Sequence, residues 1–385
     1  KNFQAAVEGT SGVHMYRLLL PWLKDIANDR QEPMTALGKW ARWARSGATM
    51  MAMGYKITTM LAQPLGIAQS ISYLGYEYAG MGFKTVFGNL SNFPTLWEQT
   101  KTLSPMMATR ISSYDRDIHD LSKKITPGIS YFKFMDTLRD NAFVPMGYFQ
   151  LLVDIPTWWG GYHKGMKEYG GDEAKAIAFA DHAVRMSQSS GNVEDLASIQ
   201  RGGELQRLFT MFYSYFNAFY NLSALQFKEM RETQGPEAML KAANFALLMW
   251  FVPAIASELV AGRGPDDDEE TWKWFAQNML QYPFQAVVGV RDLANGIFSG
   301  FPYKMTPAEG GPAAIAKWMQ DVYAAVAEGN TDGLVKSSVQ AFGFAARLPI
   351  QQAVISVGNV WDFMTGEDPD FYVRDLFFSK PRSRK

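Results

Sequence analysis

The stretch Asp195–Asn221, DLASIQRGGELQRLFTMFYSYFNAFYN, decides how this chain is read. It opens polar, crosses Gly202-Gly203, and then runs from Leu208 to Phe227 without a charge. Phe209, Phe212, Tyr213, Tyr215, Phe216, Phe219 and Tyr220 crowd that run. On a helical period these apolar side chains face every direction and leave no solvated face. The expectation is a segment buried all round, in protein or at a lipid interface. Other apolar stretches repeat the theme, and no period-2 strand alternation or fixed-period repeat is visible. The expected fold class is all-α. It is an elongated multi-helix assembly of apolar, aromatic- and Met-rich helices, of a kind able to insert into a membrane.

Composition narrows the class. Charged residues make up 19% of the 385, below the roughly 25% usual for soluble domains, and aromatics reach 14%. Yet the mean hydropathy is only −0.16, too low for a conventional multi-spanning transporter. The net charge of −1 argues against bulk nucleic-acid binding by the whole chain. The absence of cysteine excludes disulfides and thiolate metal sites and leaves the compartment open. The chain starts at Lys1 rather than Met, so a piece of a longer or processed polypeptide is expected.

Three regions are expected. Residues 1–130 form an N-terminal helical region. A first helix ends at Pro33, and Lys39, Arg42 and Arg45 then recur every three residues beside Trp40 and Trp43. Snorkelling basic groups next to indoles suit a membrane headgroup layer. Ser46–Tyr76 carries one charge and many small residues, so it reads as an apolar hairpin, in a bundle or against lipid. Ser104–Lys124 is mixed in sign and reads as a solvated helix.

Residues 131–300 form a central apolar region. Pro145 and Pro156 limit any straight helix in Phe143–Trp159 to roughly ten residues, about half a bilayer span. Gly161 and Gly165 make a weak small-xxx-small pair. Asp172–Ser187 begins with acids and reads as a helix. Ala242–Gly262 is long enough for a ~30 Å hydrocarbon core and is the candidate membrane span, with a buried bundle helix as the alternative. Lys228, Arg231 and Lys241 before it weakly favour a cytoplasmic N-terminal side. An acidic loop, 265–270, leads into Trp272 and Trp274. Residues 301–385 hold amphipathic helices at 313–327 and 334–346, a last apolar helix at 348–364 with Pro349 in its first turn, and a basic tail.

Catalytic patterns are missing. His14, His119, His163 and His182 are isolated, with no zinc-hydrolase spacing, and there is no G-x-S-x-G elbow. Residues 80–85 lack the glycine before the lysine that a phosphate loop requires. Asp154 and Glu258 lie near the ends of apolar runs, within reach of water, and form no catalytic pair. No cofactor, metal site or catalytic residue is expected. Candidate membrane- or partner-contact residues are Trp40, Trp43, Phe209, Phe212, Phe216, Trp250, Phe251, Trp272 and Trp274.

Residues 180–217, and within them Asp195, Gln200, Arg201, Gly202, Phe209, Phe212, Tyr213, Phe216 and Asn217, carry a resemblance. They resemble the helical C-terminal part of large bacteriophage internal virion or DNA-ejection proteins, including large polyvalent protein-associated regions. Residues 59–69, 103–120 and 348–367 are similar to further segments of that family. The resemblance spans most of residues 45–370. It implies storage inside the virion, then a conduit across the host cell envelope reaching the inner membrane. It also implies self-association as a homo-oligomer, partners among other ejection, portal or tail proteins, and transient contact with phage DNA. No catalytic residue carries over, and any enzymatic domain is expected outside this segment. Two other classes stay open: a soluble helical scaffold attached to an enzyme in a larger polypeptide, and a membrane channel subunit.

Overall fold

A computed structural model describes residues 2–27, 35–88, 90–122, 137, 140–233, 235–260, 271–276, 279, 310–331 and 333–365. Among these residues the chain is all-α and contains no strand. The acidic loop at 265–270, most of the apolar run expected at 275–290, residues 300–309 of the Gly/Pro-rich loop expected at 300–312 and the basic tail lie outside the described residues, whereas residues 310–312 open the helix Gly310–Glu328 instead of ending that loop.

One long helix, Val144–Glu168, sits at the centre. It was expected to break at proline, and it does not. Pro145 occupies the first turn, where a missing N–H costs nothing. Pro156 lies inside and removes one helical hydrogen bond, a loss that burial on both sides outweighs. Trp158 and Trp159 are buried with Val86, Met107, Leu151, Ile155, Ala180 and Val184. Each indole N–H is satisfied: Trp158 Nε1 donates to Asp181 Oδ1 at 2.7 Å, and Trp159 Nε1 to Thr100 Oγ1 at 3.1 Å. Paired indoles can be buried without a desolvation penalty on their polar edge.

Small residues let two helices approach this centre closely. Helix Glu173–Ser187 starts at Asp172, whose side chain accepts from Lys175 N as its first-turn acids suggest. Its Ala176, Ala180 and Ala183 pack on Gly161 and Gly165. A Cβ on Gly161 would stand 2.9 Å from Ala180 Cα, and one on Gly165 2.8 Å from Ala176 Cα. Here the weak small-xxx-small signal does mark helix pairing. On the other side, helix Tyr76–Phe87 crosses at Gly82, where a Cβ would meet Pro156 O at 2.0 Å.

A second layer joins distant segments. Helix Ala36–Met53 is capped by Thr35 and contributes Ala41, Ala44 and Ala48. These pack with Leu208, Met211 and Phe344, the last from helix Leu334–Ala346. Trp43 meets Phe344 edge-on at 4.9 Å. A single cluster therefore draws on residues from all three regions expected from the sequence. The pair Gly310–Glu328 and Leu334–Ala346 matches the two amphipathic helices expected there. The last helix is Gln351–Thr365, so Pro349 precedes it instead of occupying its first turn.

Residues 242–260 of the candidate span lie in a helix that starts earlier than expected, at Pro236, and residues 261 and 262 lie outside the described residues. Pro236–Ala246 continues through a π-helical turn, Leu247–Phe251, into Val252–Val260. The wider turn accommodates Pro253 without ending the helix.

The Gly82 crossing separates steric from intrinsic glycine effects. Gly82→Ala is expected to lose roughly 1–3 kcal/mol, because backbone must move. Gly80→Ala, in the same helix with open space at its Cβ, is expected to gain up to about 1 kcal/mol. Urea unfolding of the two variants checks the contrast.

Candidate functional site

The polar centre of the molecule is built around Arg116 and Asp117, in a segment expected to be solvated. Residues Arg110, Ser113, Tyr114, Asp115, Arg116 and Asp117 are all buried. Arg110, Arg116 and Asp117 there face partners on other elements, not water. Asp117 Oδ1 accepts from Arg45 Nη1 at 2.8 Å and from Arg116 Nη2 at 3.0 Å. Its Oδ2 accepts from the Phe212 amide at 2.9 Å. Arg45 reaches Asp120 Oδ2 at 3.0 Å and Glu204 Oε2 at 3.1 Å with its other nitrogen. Arg42 and Arg207 close the network onto Glu204 and Asp120 at 2.9 and 3.1 Å.

Arg116 also works as a cap. It donates to the carbonyls of Gln200, Arg207 and Thr210 and to Thr210 Oγ1, at 2.8–3.1 Å. These contacts explain why the decisive stretch is not one helix. It comprises 3-10 turns at Val193–Asp195 and Ser198–Arg201, a short helix Glu204–Phe209, a turn, and helix Ser214–Glu232. The Phe212 N–H goes to Asp117 instead of to the preceding helical turn, and Phe212 adopts φ 57. A bulky residue in the left-handed region is strained and persists only because its surroundings hold it there.

A second buried pair anchors the central helix. Arg110 Nε donates to Asp154 Oδ2 at 2.6 Å, and Arg110 Nη2 to Ser189 O at 2.7 Å. Gln150 donates to Asp154 at 2.8 Å, and Gln188 to Gly66 O and Ser70 Oγ at 2.9 and 2.8 Å. Asp154 was expected near water and is fully buried, because an acid in an apolar helix needs a buried cation.

Electrostatics follow from this packing. Burial alone would lower the Arg45 pKa, but Asp117, Asp120 and Glu204 outweigh it and hold the guanidinium above its ordinary value. Burial would raise Glu204, and Arg45, Arg207 and Arg42 instead hold it below the usual carboxylate range. Asp115 differs. Burial, then the nearby Asp117, push its carboxyl up to about 6 against the pull of Arg116. Its Oδ1 accepts the Asp117 and Ile118 amides at 2.8 and 3.4 Å, yet no cation pairs with it among the described residues. Asp115 lines a cavity of about 270 Å³ together with Tyr114, Gln150, Phe212, Tyr215 and Phe216. A second cavity, about 360 Å³, lies over Arg185, Asp195 and Asn217.

The expected site residues divide. The Asp195–Asn217 set is brought together as a framework. Asp195 accepts from Arg185 and Ser190, and Asn217 donates to Asp195 O. Gln200 O holds Arg116, Gly202 O accepts from Arg207, and Arg201 pairs with Asp25 at 3.5 Å. Phe212, Tyr213 and Phe216 are half-buried, whereas Phe209 is 48% exposed, so the stretch is not buried all round. Trp40, Phe251 and Trp272 are exposed. Trp43, Trp250 and Trp274 are half-buried, and Trp43 belongs to the core beside Phe344. Arg45 is not a snorkelling base, because three carboxylates surround it. Arg45, Arg110, Arg116, Asp117 and Glu204 were missed as site residues. The one local signal for such a network was Asp154, an acid inside an apolar run.

Among the described residues no group of three or more His, Asp or Glu side chains is arranged to hold a metal ion. What the network does chemically is to lock four chain segments with charge-assisted hydrogen bonds. Comparison with protein-family models, curated proteins and solved structures finds no match to this chain.

Two outcomes test these electrostatics. Arg45→Met leaves buried carboxylates short of a partner and is expected to cost roughly 3–5 kcal/mol in urea unfolding. The raised Asp115 carboxyl stabilises the fold most while protonated. Its contribution is lost as pH rises from the unfolded value of 3.8 through about 6. Asp115→Asn is therefore expected to match the parent at acid pH and to exceed it by roughly 2–3 kcal/mol at neutral pH. Stability measured against pH for both proteins checks the sign.

Proposed function

We propose that this chain is a structural module of a phage DNA-ejection protein. In this reading it oligomerises and helps build a conduit across the host envelope. The observation that carries the proposal is the helix Pro236–Ala256. It is long and apolar enough to cross a membrane, and only 28% of that apolar stretch is buried in the folded chain. A core helix of a soluble protein of that composition would be mostly covered. Met239 and Leu240 on it are 75% and 71% exposed. Exposed Trp40, Phe251 and Trp272 add amphipathic rings suited to a half-wet interface. The resemblance of residues 180–217 and of three further segments to ejection proteins supports the same reading.

In it the chain is stored in the virion interior beside other ejection, portal or tail proteins and near phage DNA. It reaches the host periplasm and inner membrane on ejection. The module has no enzymatic role of its own. A soluble helical scaffold within a larger polypeptide is the second reading, favoured by the buried arginine–carboxylate networks that close the core without lipid.

Vesicle flotation separates the two. The chain is expected to float with vesicles of mixed anionic and zwitterionic lipid. Leu247→Asp combined with Phe251→Asp, at exposed positions near the middle of the helix, is expected to reduce the floated fraction by about tenfold or more, since an acid near the centre of a span costs a few kcal/mol. Failure of the parent chain to float with either lipid class leaves the scaffold reading.

A further inference from the structure

We propose that the cavity over Asp115 is a binding site for a small organic ammonium ion. Two observations carry the proposal, independently of the role assigned to the chain. First, Asp115 is the odd member of its cluster. Asp117, Asp120, Glu204 and Asp154 each have an arginine on them, and Asp115 has none among the described residues. The nearby guanidiniums are already committed, Arg110 to Asp154 and Ser189 O, Arg116 to Asp117 and to three carbonyls. A buried carboxylate without a cation is a costly feature that a bound cation would relieve.

Second, aromatic rings form part of the wall. Tyr114, Phe212, Tyr215 and Phe216 line the space with Asp115 and Gln150. Aromatic rings around one carboxylate recognise an organic cation, through ring quadrupoles and one charge-assisted hydrogen bond. A divalent metal ion favours several charged ligands, and beside its one carboxylate the cavity offers only the neutral oxygens of Gln63, Gln150, Gln188 and Ser189. An anion would meet that carboxylate directly. The volume of about 270 Å³ restricts the ligand to a short alkyl or single-ring amine. The strained backbone of Phe212 fixes one wall through its amide on Asp117, so the space is held open by the ion-pair network.

The test is calorimetric titration of the full chain at neutral pH with n-butylammonium, 1-butanol and n-butyrate. Saturable binding of butylammonium is expected, with the alcohol weaker by about tenfold or more, since it forfeits the charged hydrogen bond. Asp115→Asn is expected to erase that preference. On the parent chain alone, titration near pH 6 in two buffers of different ionisation enthalpy is expected to show proton release, as the cation selects the ionised carboxylate. Equal binding of the alcohol, an unchanged preference in Asp115→Asn, binding without proton release, or no saturable binding of the ammonium would each overturn the site and leave a water-filled cavity.

Discussion

Everything in the second layer depends on one carboxylate. Asp117 takes a guanidinium from Arg45, another from its neighbour Arg116, and the amide of Phe212. Each is a hydrogen bond to a charged group in a buried site, where such bonds are strongest and an unpaired partner is most costly. Through them helix Ala36–Met53, the segment around residue 117 and the turn after helix Glu204–Phe209 are held in one arrangement. Arg116 extends the hold by donating to the Arg207 carbonyl and to the Thr210 carbonyl, which also accepts the Tyr213 amide. The network is not the source of the fold's driving force. Apolar burial around Trp158 and Phe344 supplies that. Removing one partner from the network would leave a buried charge unpaired, so the network penalises other arrangements of these segments.

The central helix shows the complementary device. Where Asp117 joins segments with charge, Gly82, Gly160, Gly161 and Gly165 join them by lacking side chains. Backbones come within contact distance, and the bulky residues are displaced to the flanks, where the two indoles find Asp181 and Thr100. Close backbone approach also explains why a proline is tolerated at position 156. A helix clamped on both faces keeps its shape despite one missing hydrogen bond.

The two halves of the chemistry pull in different directions. The interior is closed by its own ion pairs, as in a protein that folds in water. The helix Pro236–Ala256 and the exposed rings at positions 40, 209 and 272 are left for something else to cover. A chain stored in one environment and used in another needs both features: a locked body, and apolar surface whose partner changes. The proposed conduit role asks for that combination, and Met-rich surface adapts to new partners.

Local physics was legible in the residues. Helical class, the Asp172 cap, the amphipathic pair near the C-terminus and the apolar helix around residue 250 all follow from periodicity and capping, which act over a few residues. Pro156 misled, because propensity is a local cost that tertiary packing overrode there. The site was almost wholly illegible. Arg45 and Asp117 lie 72 residues apart, and Arg110 and Asp154 lie 44 apart. In the string each looks like a solvated charge, because sign and spacing say nothing about which distant partner will remove the water. Only the folded chain decides that, by bringing opposite charges together where leaving either one alone would be too costly.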